Sequence, residues 1–460
     1  MRIAVLNGSP KGDVSVTMQY VHYIQKKFPQ HELKILNISQ KIKVIKKNEK
    51  PFQQIIDEVK SSDGVLWAFP LYFLLVHSNY KRFIELIWEN GTESAFKNKY
   101  TAALSTSIHF YDHTAHNYIN AICDDLNMEY VGSFSADMYD LLKEKEREKL
   151  ILFAEHFFGA IEKKLPTSKN FHPVIHSEFD YVPSDVKTKV DIGNRKIVIL
   201  TDSEDDQTNL GKMIKRFSRS FSDEVEVINL HNVDIKGGCL GCIQCGYDNN
   251  CSYGDKDGYV EFFNTKVKTA DVIVIAGTIR DRYLSSKWKM FFDRSFFNTH
   301  TPTMMGKQIG FVISGPLSQI PNVRQILEAY FEVNQGSVVD FITDECEDSA
   351  EMDVLLQNLA ERLIQYGHEG YMKPVTFLAV GGTKIFRDDI YGRFRFPFRA
   401  DHKLYRKHGF YDFPQKDYKS RLRNSIMMLL NKIPSMRKDI YTGRMKTEMI
   451  KPLQNILETK

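Results

Sequence analysis

Short apolar runs alternate with amphipathic segments along the first third of the chain. Residues 3–6, 64–69 and 100–105 show the unbroken apolar pattern of strands buried on both faces. Amphipathic segments lie between and after them, and a strongly amphipathic helix is predicted over residues 144–164. Because strands that alternate with helices favour a parallel sheet covered on both faces, this part of the chain is predicted to be an α/β domain.

The alternation begins again after residues 165–193, a segment with three prolines and no sustained period that we interpret as a linker. Strand patterns return at residues 196–201, 272–276 and 308–314, and a closing helix is predicted over residues 352–366. The order and spacing of these segments resemble those of the first stretch. The pattern therefore predicts two tandem, doubly wound parallel-sheet domains.

Two pairs of segments suggest that one unit has been duplicated. Ser62–Trp67 corresponds to Ala270–Ile275, and Asn79–Glu85 corresponds to Lys287–Asp293. The predicted division is a first domain at residues 1–164, a linker at 165–193, a second domain at 194–370 and a basic, aromatic C-terminal extension at 371–460.

Positive charge is concentrated in this extension. Residues 384–460 contain 19 Lys and Arg against 8 Asp and Glu, whereas the whole chain has a net charge of +4. The excess indicates contact with an acidic surface or partner, and the acidic remainder of the chain is one such surface. Phe394–Arg399 is compatible with a membrane surface, a nucleic acid or an acidic protein. We favour packing across the two domains and expect no nucleic acid as a partner.

The composition excludes several classes of protein. Of the 460 residues, 42% are hydrophobic and 26% are charged, and no apolar stretch reaches the roughly 20 residues of a membrane-spanning helix. A collagen-like chain, a disordered chain and a transmembrane segment are therefore not expected. The apolar run at residues 3–6 is too short for a signal peptide, so we expect the protein in the cytoplasm.

The turn after the first strand has the composition of a phosphate-binding loop. Ser9 and Lys11 lie in this turn, and Ser15 and Thr17 open the following helix, whose unpaired N–H groups and dipole favour an anion. The turn is not a Walker A motif. A plain strand-to-helix turn with an N-cap hydroxyl is the alternative interpretation.

Two further loops follow strands of the same predicted sheet, at the edge where ligands bind in open α/β folds. They carry Pro70-Leu71-Tyr72-Phe73 and the segment from Thr106 through Ser107 to His109. A phosphate loop beside aromatic faces and hydrogen-bonding groups suits a flat heterocycle on a phosphorylated tail, and FMN fits that description. The residues predicted to bind FMN are Ser9, Lys11, Ser15, Thr17, Pro70, Leu71, Tyr72, Phe73, Thr106, Ser107 and His109.

Four of the six cysteines lie within thirteen residues of the second domain. Their spacing, Cys239-x2-Cys242-x2-Cys245-x5-Cys251, is compact enough to wrap one four-iron, four-sulfur (4Fe-4S) cluster. Neighbouring glycines would let the backbone fold tightly around it. Structural zinc loops usually present two cysteine pairs separated by a long spacer, which differs from this pattern. Zinc and free, redox-active thiols remain alternatives to the cluster.

Three segments resemble the NAD(P)H-dependent FMN reductase family of flavodoxin-like proteins: Asn7–Lys11, Phe69–Phe73 and Lys81–Glu85. The cysteine motif is similar to that of the iron-sulfur flavoproteins in this family. The resemblance covers about residues 1–164 and 194–366 and leaves the extension uncovered. It implies two tandem flavodoxin-like domains in which the first loop holds the FMN phosphate and the two later loops border the ring.

The sequence departs from the family pattern at two places. Lys11 stands where the family usually has arginine, although a lysine still offers a positive charge to a phosphate. The first turn of the second domain, Thr201–Asp206, has four acidic residues, which would repel a phosphate. We therefore expect FMN in the first domain only. A second flavin near Thr208, Asn209 and Thr278–Arg280 is the alternative.

The resemblance implies electron transfer from NAD(P)H through FMN to the 4Fe-4S cluster and on to an acceptor that the sequence does not identify. No side chain is required as an acid or base, so we name no catalytic residue. Two other functions stay open: an FMN-dependent reductase of quinones or other aromatic compounds without a cluster, and a redox-sensing binding module that is not an enzyme. A homo-oligomer and an intrachain pseudo-dimer are both compatible with the duplication.

Overall fold

The computed structural model describes residues 1–458, so the last two residues of the predicted C-terminal extension lie outside the described part of the chain. The chain divides into two compact units, Met1–His402 and Lys403–Lys460. Among the described residues, no helix is both long enough and apolar enough to cross a membrane.

The first sheet has five parallel strands in the order β2-β1-β3-β4-β5. The strands are β1 (Arg2–Asn7), β2 (Glu32–Asn37), β3 (Gly64–Pro70), β4 (Tyr100–Ser107) and β5 (Glu129–Asp137). The helices of this half are α1 (Val16–Lys27), α2 (Ile38–Lys47), α3 (Glu49–Ser61), α4 (Ser78–Glu89), α5 (Asp112–Asp125) and α6 (Glu144–Lys163). Because β1 starts the sheet near its middle and the chain then winds in both directions, a crevice forms at the carboxyl ends of β1 and β3.

The second sheet repeats this order, read from its opposite edge, as β10-β9-β8-β6-β7. Its strands are β6 (Ile197–Thr201), β7 (Glu226–Asn229), β8 (Val272–Thr278), β9 (Gln308–Ser314) and β10 (Ser337–Thr343). The helices of this half are α7 (Asn209–Arg219), α8 (Tyr259–Phe262), α9 (Ser286–Arg294), α10 (Pro321–Val333) and α11 (Ser349–Glu369). These two sheets confirm the predicted α/β class with two doubly wound parallel sheets.

Each sheet has its own apolar core. In the first, Ile3, Val5 and Leu104 pack under α6 at Phe157. In the second, Ile199 of β6 and Val274 of β8 pack with Leu359 of α11. Burial of these side chains is the main favourable contribution to the stability of each half.

The segment between the two halves has almost no regular secondary structure, yet it packs on the second half. Tyr181 is fully buried and its hydroxyl donates a hydrogen bond of 2.5 Å to Asp353 of α11. Val190 forms an isolated parallel bridge with Phe221. The segment is therefore held in place rather than hanging free between the sheets.

The structure differs from the sequence pattern in two regions. The pattern predicts one helix over residues 258–268, whereas α8 covers four residues and continues as a π-helical turn at Phe263–Val267. Beyond residue 371 the sequence predicts one short amphipathic helix, over residues 418–432, which the structure has at Tyr418–Leu430, and the described residues contain further helices there. The helices of this region are α12 (Phe377–Tyr391), α13 (Arg399–Lys407), α14 (Tyr418–Leu430), α15 (Pro434–Asp439) and α16 (Met445–Glu458).

Helices α4 and α9 join the two halves through reciprocal contacts. Asp293 of α9 accepts a hydrogen bond of 2.7 Å from the backbone N–H of Ser78, at the start of α4. Glu85 of α4 accepts bonds of 2.6 Å from both the backbone N–H and the hydroxyl of Ser286, at the start of α9. Each helix therefore supplies the carboxylate that satisfies the N-terminus of the other, where the helix dipole favours negative charge.

Candidate functional site

A cavity of about 280 Å³ opens at the carboxyl ends of β1, β3 and β4. Parallel α/β sheets bind ligands at this edge. The predicted FMN residues among those that line it are Ser9, Lys11, Ser15, Pro70, Leu71, Tyr72, Phe73, Thr106 and Ser107. Nine of the eleven predicted positions thus surround one space, and the other two, Thr17 and His109, lie elsewhere.

The turn that ends β1 is shaped by its own side chains. The backbone N–H of Ser9 donates to Asn7 Oδ1 at 3.0 Å, and the backbone N–H of Lys11 donates to Ser9 Oγ at 3.2 Å. Ser15 Oγ accepts from the backbone N–H of Met18 at 3.3 Å and so acts as the N-cap of α1. A Cβ at Gly8 would lie 2.9 Å from Phe69, so a larger residue would push the turn away from the sheet.

This turn fits the phosphate of FMN. Ser15 and Val16 line the cavity, which puts the N-terminus of α1 at its wall. Lys11 also lines the cavity and makes no ion pair within the described residues. A helix N-terminus beside an uncompensated ammonium group provides the positive potential that a phosphate dianion requires.

Thr17 lies behind the cavity wall. Its hydroxyl is fully buried and shares a hydrogen bond of 2.6 Å with the hydroxyl of Thr106. This bond joins α1 to the end of β4. Thr17 therefore acts on the cavity through Thr106 rather than by lining it.

The loop after β3 forms the aromatic wall in an uncommon backbone conformation. Phe73 and Leu74 have φ values of 35° and 61°, in the left-handed region that side chains with a Cβ seldom adopt. The backbone N–H of Leu71 donates to Thr106 O at 3.1 Å, and Tyr72 and Leu75 exchange two backbone bonds. These contacts hold the strained loop so that Tyr72 and Phe73 both line the cavity.

His109 is turned away from the cavity. Its Nδ1 lies 2.8 Å from Asp112 Oδ2, and 49% of its side chain is exposed. This hydrogen bond raises the pKa of His109 above its ordinary value. The neighbouring Ile108 and Phe110 line the cavity instead.

The opposite wall comes from the second half of the chain and was not predicted from the sequence. Phe296 and His300 follow α9, Tyr330 lies on α10, and Phe386 lies on α12. Nδ1 of His300 is 3.0 Å from the buried carboxylate of Asp401. No local sequence signal marks these residues, because only the packing of the two halves brings them to the cavity.

The four clustered cysteines surround a second, smaller pocket. Cys239, Cys242, Cys245 and Cys251 line it together with Arg294 and Phe296. Within residues 1–458, no three His, Cys, Asp or Glu side chains converge in the way that would hold a single metal ion. All four cysteines are free thiols.

Backbone conformation lets the cysteine loop curve around its pocket. Gly241 and Ile243 both have left-handed φ values, of 64° and 61°. Burial raises the pKa of both Cys239 and Cys245 to about 12. The donor set at this pocket is thus four thiols on a tightly folded loop.

The two pockets share a wall. Phe296 lines both of them, and its ring packs edge-on against Phe73 at 5.6 Å between centroids. A Cβ at Gly241 would overlap the hydroxyl of Tyr72 and lie 3.1 Å from Cε of Lys11. The cysteine loop is therefore in direct contact with residues that line the larger cavity.

A buried polar network fixes this contact. Nε2 of His77 donates to the backbone oxygen of Cys239 at 2.8 Å, while Nδ1 accepts from the N–H of Asn79 at 3.1 Å. Burial lowers the pKa of His77, which keeps the ring neutral. Lys289 donates to the backbone oxygen of Tyr72 at 2.9 Å and pairs with Asp293.

The equivalent edge of the second sheet offers no comparable phosphate turn. Burial raises the pKa of Asp202, which accepts a hydrogen bond from Ser285. Thr208 caps α7 by accepting from Gly211 N–H at 3.2 Å, and Asn209 bonds to Phe179 O at 2.8 Å. Thr208 and Asn209, two of the residues named for the alternative second flavin, already have structural partners, and a second flavin stays a prediction.

One protein-family model matches part of the first half of the chain. Residues 1–139 match the NADPH-dependent FMN reductase family model. The matched segment covers less than a third of the chain and includes every predicted FMN-binding residue. The match to this family supports an oxidoreductase enzyme that uses FMN and a pyridine nucleotide. A comparison with curated proteins gives no match.

Solved structures share limited similarity with this chain. The flavoenzyme NAD(P)H:(acceptor) oxidoreductase FerB from Paracoccus denitrificans is 19% identical, with a TM-score of 0.30, over 35% of this chain and 97% of its own. General stress protein 14 from Treponema denticola, in complex with FMN, is 12% identical, with a TM-score of 0.26, over 36% of this chain and 99% of its own.

Proposed function

We propose that the protein is an NAD(P)H-dependent flavin oxidoreductase that passes electrons between FMN in the larger cavity and a 4Fe-4S cluster at the four cysteines. The observation that carries this proposal is the wall shared by the two pockets, formed by Phe296 and by the contact of Tyr72 with Gly241. Electron exchange requires two redox groups held close together, and this wall would separate them by little more than a side chain.

In the proposed FMN site, Lys11 and the first turn of α1 bind the phosphate, and Ser9 and Ser107 offer hydroxyl groups to the ligand. Tyr72 and Phe73 cover one side of the ring. When bound there, FMN would supply a ring that can take hydride from a pyridine nucleotide and give up electrons one at a time. The apolar wall from the second half excludes water from the ring.

In the proposed cluster site, Cys239, Cys242, Cys245 and Cys251 are the four ligands. Iron binds thiolates, so loading would release the thiol protons. The buried Arg294 on the pocket wall is already paired with Asp257 at 2.6 Å, and it supports the start of the cysteine loop by donating to the backbone oxygen of Gly237 at 3.1 Å. His77 holds the loop through the backbone of Cys239 and so positions the first ligand.

We also propose that the two halves arose from one duplicated unit and form a pseudo-dimer within one chain. Residues 1–164 would form the FMN domain, 165–193 the linker and 194–370 the cluster domain. The equal strand orders support this proposal. The reciprocal caps support it further, because Ser78 with Asp293 mirrors Ser286 with Glu85.

A second candidate is an FMN-dependent reductase of quinones or other aromatic compounds that has no cluster. It is favoured by the aromatic wall across the cavity, where Tyr330 and Phe386 could stack with an aromatic acceptor. Both candidate functions require bound FMN, but only the first requires iron.

Purification without oxygen, followed by iron and flavin analysis, tests the proposal. The wild-type protein should contain FMN and about four iron atoms. Cys242→Ala should lose most of the iron and keep FMN, whereas Cys346→Ala, which lies outside the loop, should keep both. A yellow, iron-free wild-type protein would support the reductase without a cluster. Equal loss of iron from the two variants would contradict the ligand assignment.

A further inference from the structure

The last three helices of the chain have no apolar core of their own. No described side chain from residue 418 to residue 457 is buried. The exposed apolar side chains in this segment include Tyr418, Leu422, Ile426, Met428, Leu429, Ile433, Tyr441, Met449, Leu453, Ile456 and Leu457. Because isolated helices of this length are only marginally stable in water, these helices need a surface against which to pack.

The exposed apolar residues are regularly spaced along the helices and are not scattered at random. In α14, Leu422, Ile426 and Leu429 recur every three or four residues, which places them on one helix face. The exposed fraction is 65% for Leu422 and 50% for Ile426. In α16, residues 445, 449, 453 and 456 have the same spacing. Helices α14 and α16 therefore each present an exposed apolar stripe to their surroundings.

Positive charge accompanies these stripes. Residues 418–457 contain 9 Lys and Arg against 2 Asp and Glu. The ion pair that the structure describes within this segment joins Arg444 to Asp439. Lys419, Arg421 and Arg423 occupy α14 itself, which has no acidic residue. The surface that covers the stripes is therefore expected to be negatively charged.

We propose that residues 418–457 bind the surface of an anionic lipid bilayer, with the helices lying in the plane of the interface. The apolar stripes would enter the boundary between headgroups and acyl chains, and the lysine and arginine side chains would contact anionic headgroups. Tyr418 and Tyr441 suit the interface because each has an apolar ring and a polar hydroxyl. A nucleic acid would leave the apolar stripes exposed, and a protein groove usually covers a single helix, whereas a bilayer would cover the stripes of both α14 and α16.

Co-sedimentation of the full-length protein with lipid vesicles tests this proposal. The protein should bind vesicles of mixed phosphatidylcholine and phosphatidylglycerol, and binding to phosphatidylcholine alone should be at least about tenfold weaker. Added salt should weaken binding to the mixed vesicles, because it screens the attraction between the basic side chains and the lipid.

Variants of the proposed lipid-binding surface are compared with a control variant elsewhere in the protein. Leu422→Glu with Ile426→Glu should lower binding to the mixed vesicles by about tenfold or more, since it places charge in the stripe of α14. Val354→Glu, at a position of similar exposure on α11, should bind like the wild type. Neutralising Lys419, Arg421 and Arg423 to Gln should also weaken binding and keeps the apolar stripe intact.

The proposal is overturned if the wild type does not bind the mixed vesicles, or if it binds them no better than phosphatidylcholine. It is also overturned if the α14 variants bind as the wild type does, or if the Val354 variant loses binding to the same extent. NADPH oxidation by the α14 variants should stay at the wild-type level, so the outcome is independent of the proposed electron transfer.

Discussion

The imidazole of His77, at the start of α4, donates a hydrogen bond of 2.8 Å to the backbone oxygen of Cys239 in the other half of the chain. The ring is fully buried, and its other nitrogen accepts from the N–H of Asn79 and so caps α4. One side chain thus ends a helix of the first half and holds the cysteine loop of the second half.

Replacing His77 with alanine should loosen the cysteine loop and destabilise the fold. The loss of the cap and of the bond to Cys239 should lower the free energy of unfolding by about 2 kcal/mol. Iron should dissociate faster from the variant during anaerobic gel filtration, while FMN is retained. His22→Ala, on the exposed face of α1, is the control and should match the wild type in both measurements.

The close approach of Gly241 to Tyr72 predicts a specific defect for a larger residue. Gly241→Ala combines a left-handed φ of 64° with an overlap against the Tyr72 hydroxyl. Gly254→Ala, with a φ of 49° and open space around the Cβ, carries the backbone penalty alone. In each variant the left-handed backbone conformation should lower the free energy of unfolding by about 1 kcal/mol. Gly241→Ala should lose more stability than Gly254→Ala, and it should also slow electron transfer to the cluster. Equal thermal unfolding and equal electron-transfer rates in the two variants would contradict the contact.

We expect the positive charge of Lys11 to increase the affinity for FMN. Lys11→Gln should raise the dissociation constant of FMN by about tenfold, because the ammonium faces the phosphate site without an ion-pair partner in the described residues. The loss should shrink as salt is added. Fluorescence titration of the flavin-free protein measures both effects. Lys26→Gln, in the last turn of α1, should bind FMN normally. Unchanged affinity in Lys11→Gln would refute the assigned phosphate site.

The reciprocal caps predict a pH dependence of stability. Despite its burial, the pKa of Glu85 falls from its usual 4.5 to about 2, mainly because of Lys81 and the hydrogen bonds from Lys81, Ser286 and Arg82. The folded protein therefore binds this proton more weakly than the unfolded chain. The stabilisation is complete above the usual pKa and disappears as the pH falls from 4.5 towards 2.

Glu85→Gln should remove this part of the pH dependence and destabilise the protein near neutral pH by about 3 kcal/mol, because it leaves Lys81 buried without its full partner. Thermal unfolding at several pH values measures both effects. Glu89→Gln, at the more exposed end of the same helix, should change stability by less than about 1 kcal/mol. A wild-type slope that persists in Glu85→Gln would show that another group is responsible.

The central strands could be predicted because each is an apolar run. Strands β1, β3 and β4 are buried on both faces almost throughout, and so are β6, β8 and β9. The outer strands β2 and β5 have mixed burial, and Asp340 interrupts the apolar run of β10. An edge strand covered on one face carries a weaker apolar pattern, which is why the sequence did not predict these three.

The loops at the end of β1, β3 and β4 were accessible to sequence reasoning because parallel strands deliver the loops that follow them to one edge of the sheet. His109 shows the limit of that reasoning. It lies one residue from a cavity-lining position, but left-handed φ values of 59° at His109 and 57° at Tyr111 turn the chain and direct its ring to Asp112. A local sequence pattern does not contain such a reversal.

The amino-acid order alone determined the alternation of strands and helices, the hydroxyl and lysine side chains of the first turn and the crowding of four cysteines. It did so because these features depend on neighbours along the chain. The tertiary structure decided that the cysteine loop lies beside the cavity, since His77 and Cys239 are 162 residues apart and meet only through the packing of α4 against α9. It also decided that Phe296 lines both pockets, because that position follows from the packing of the two halves against each other.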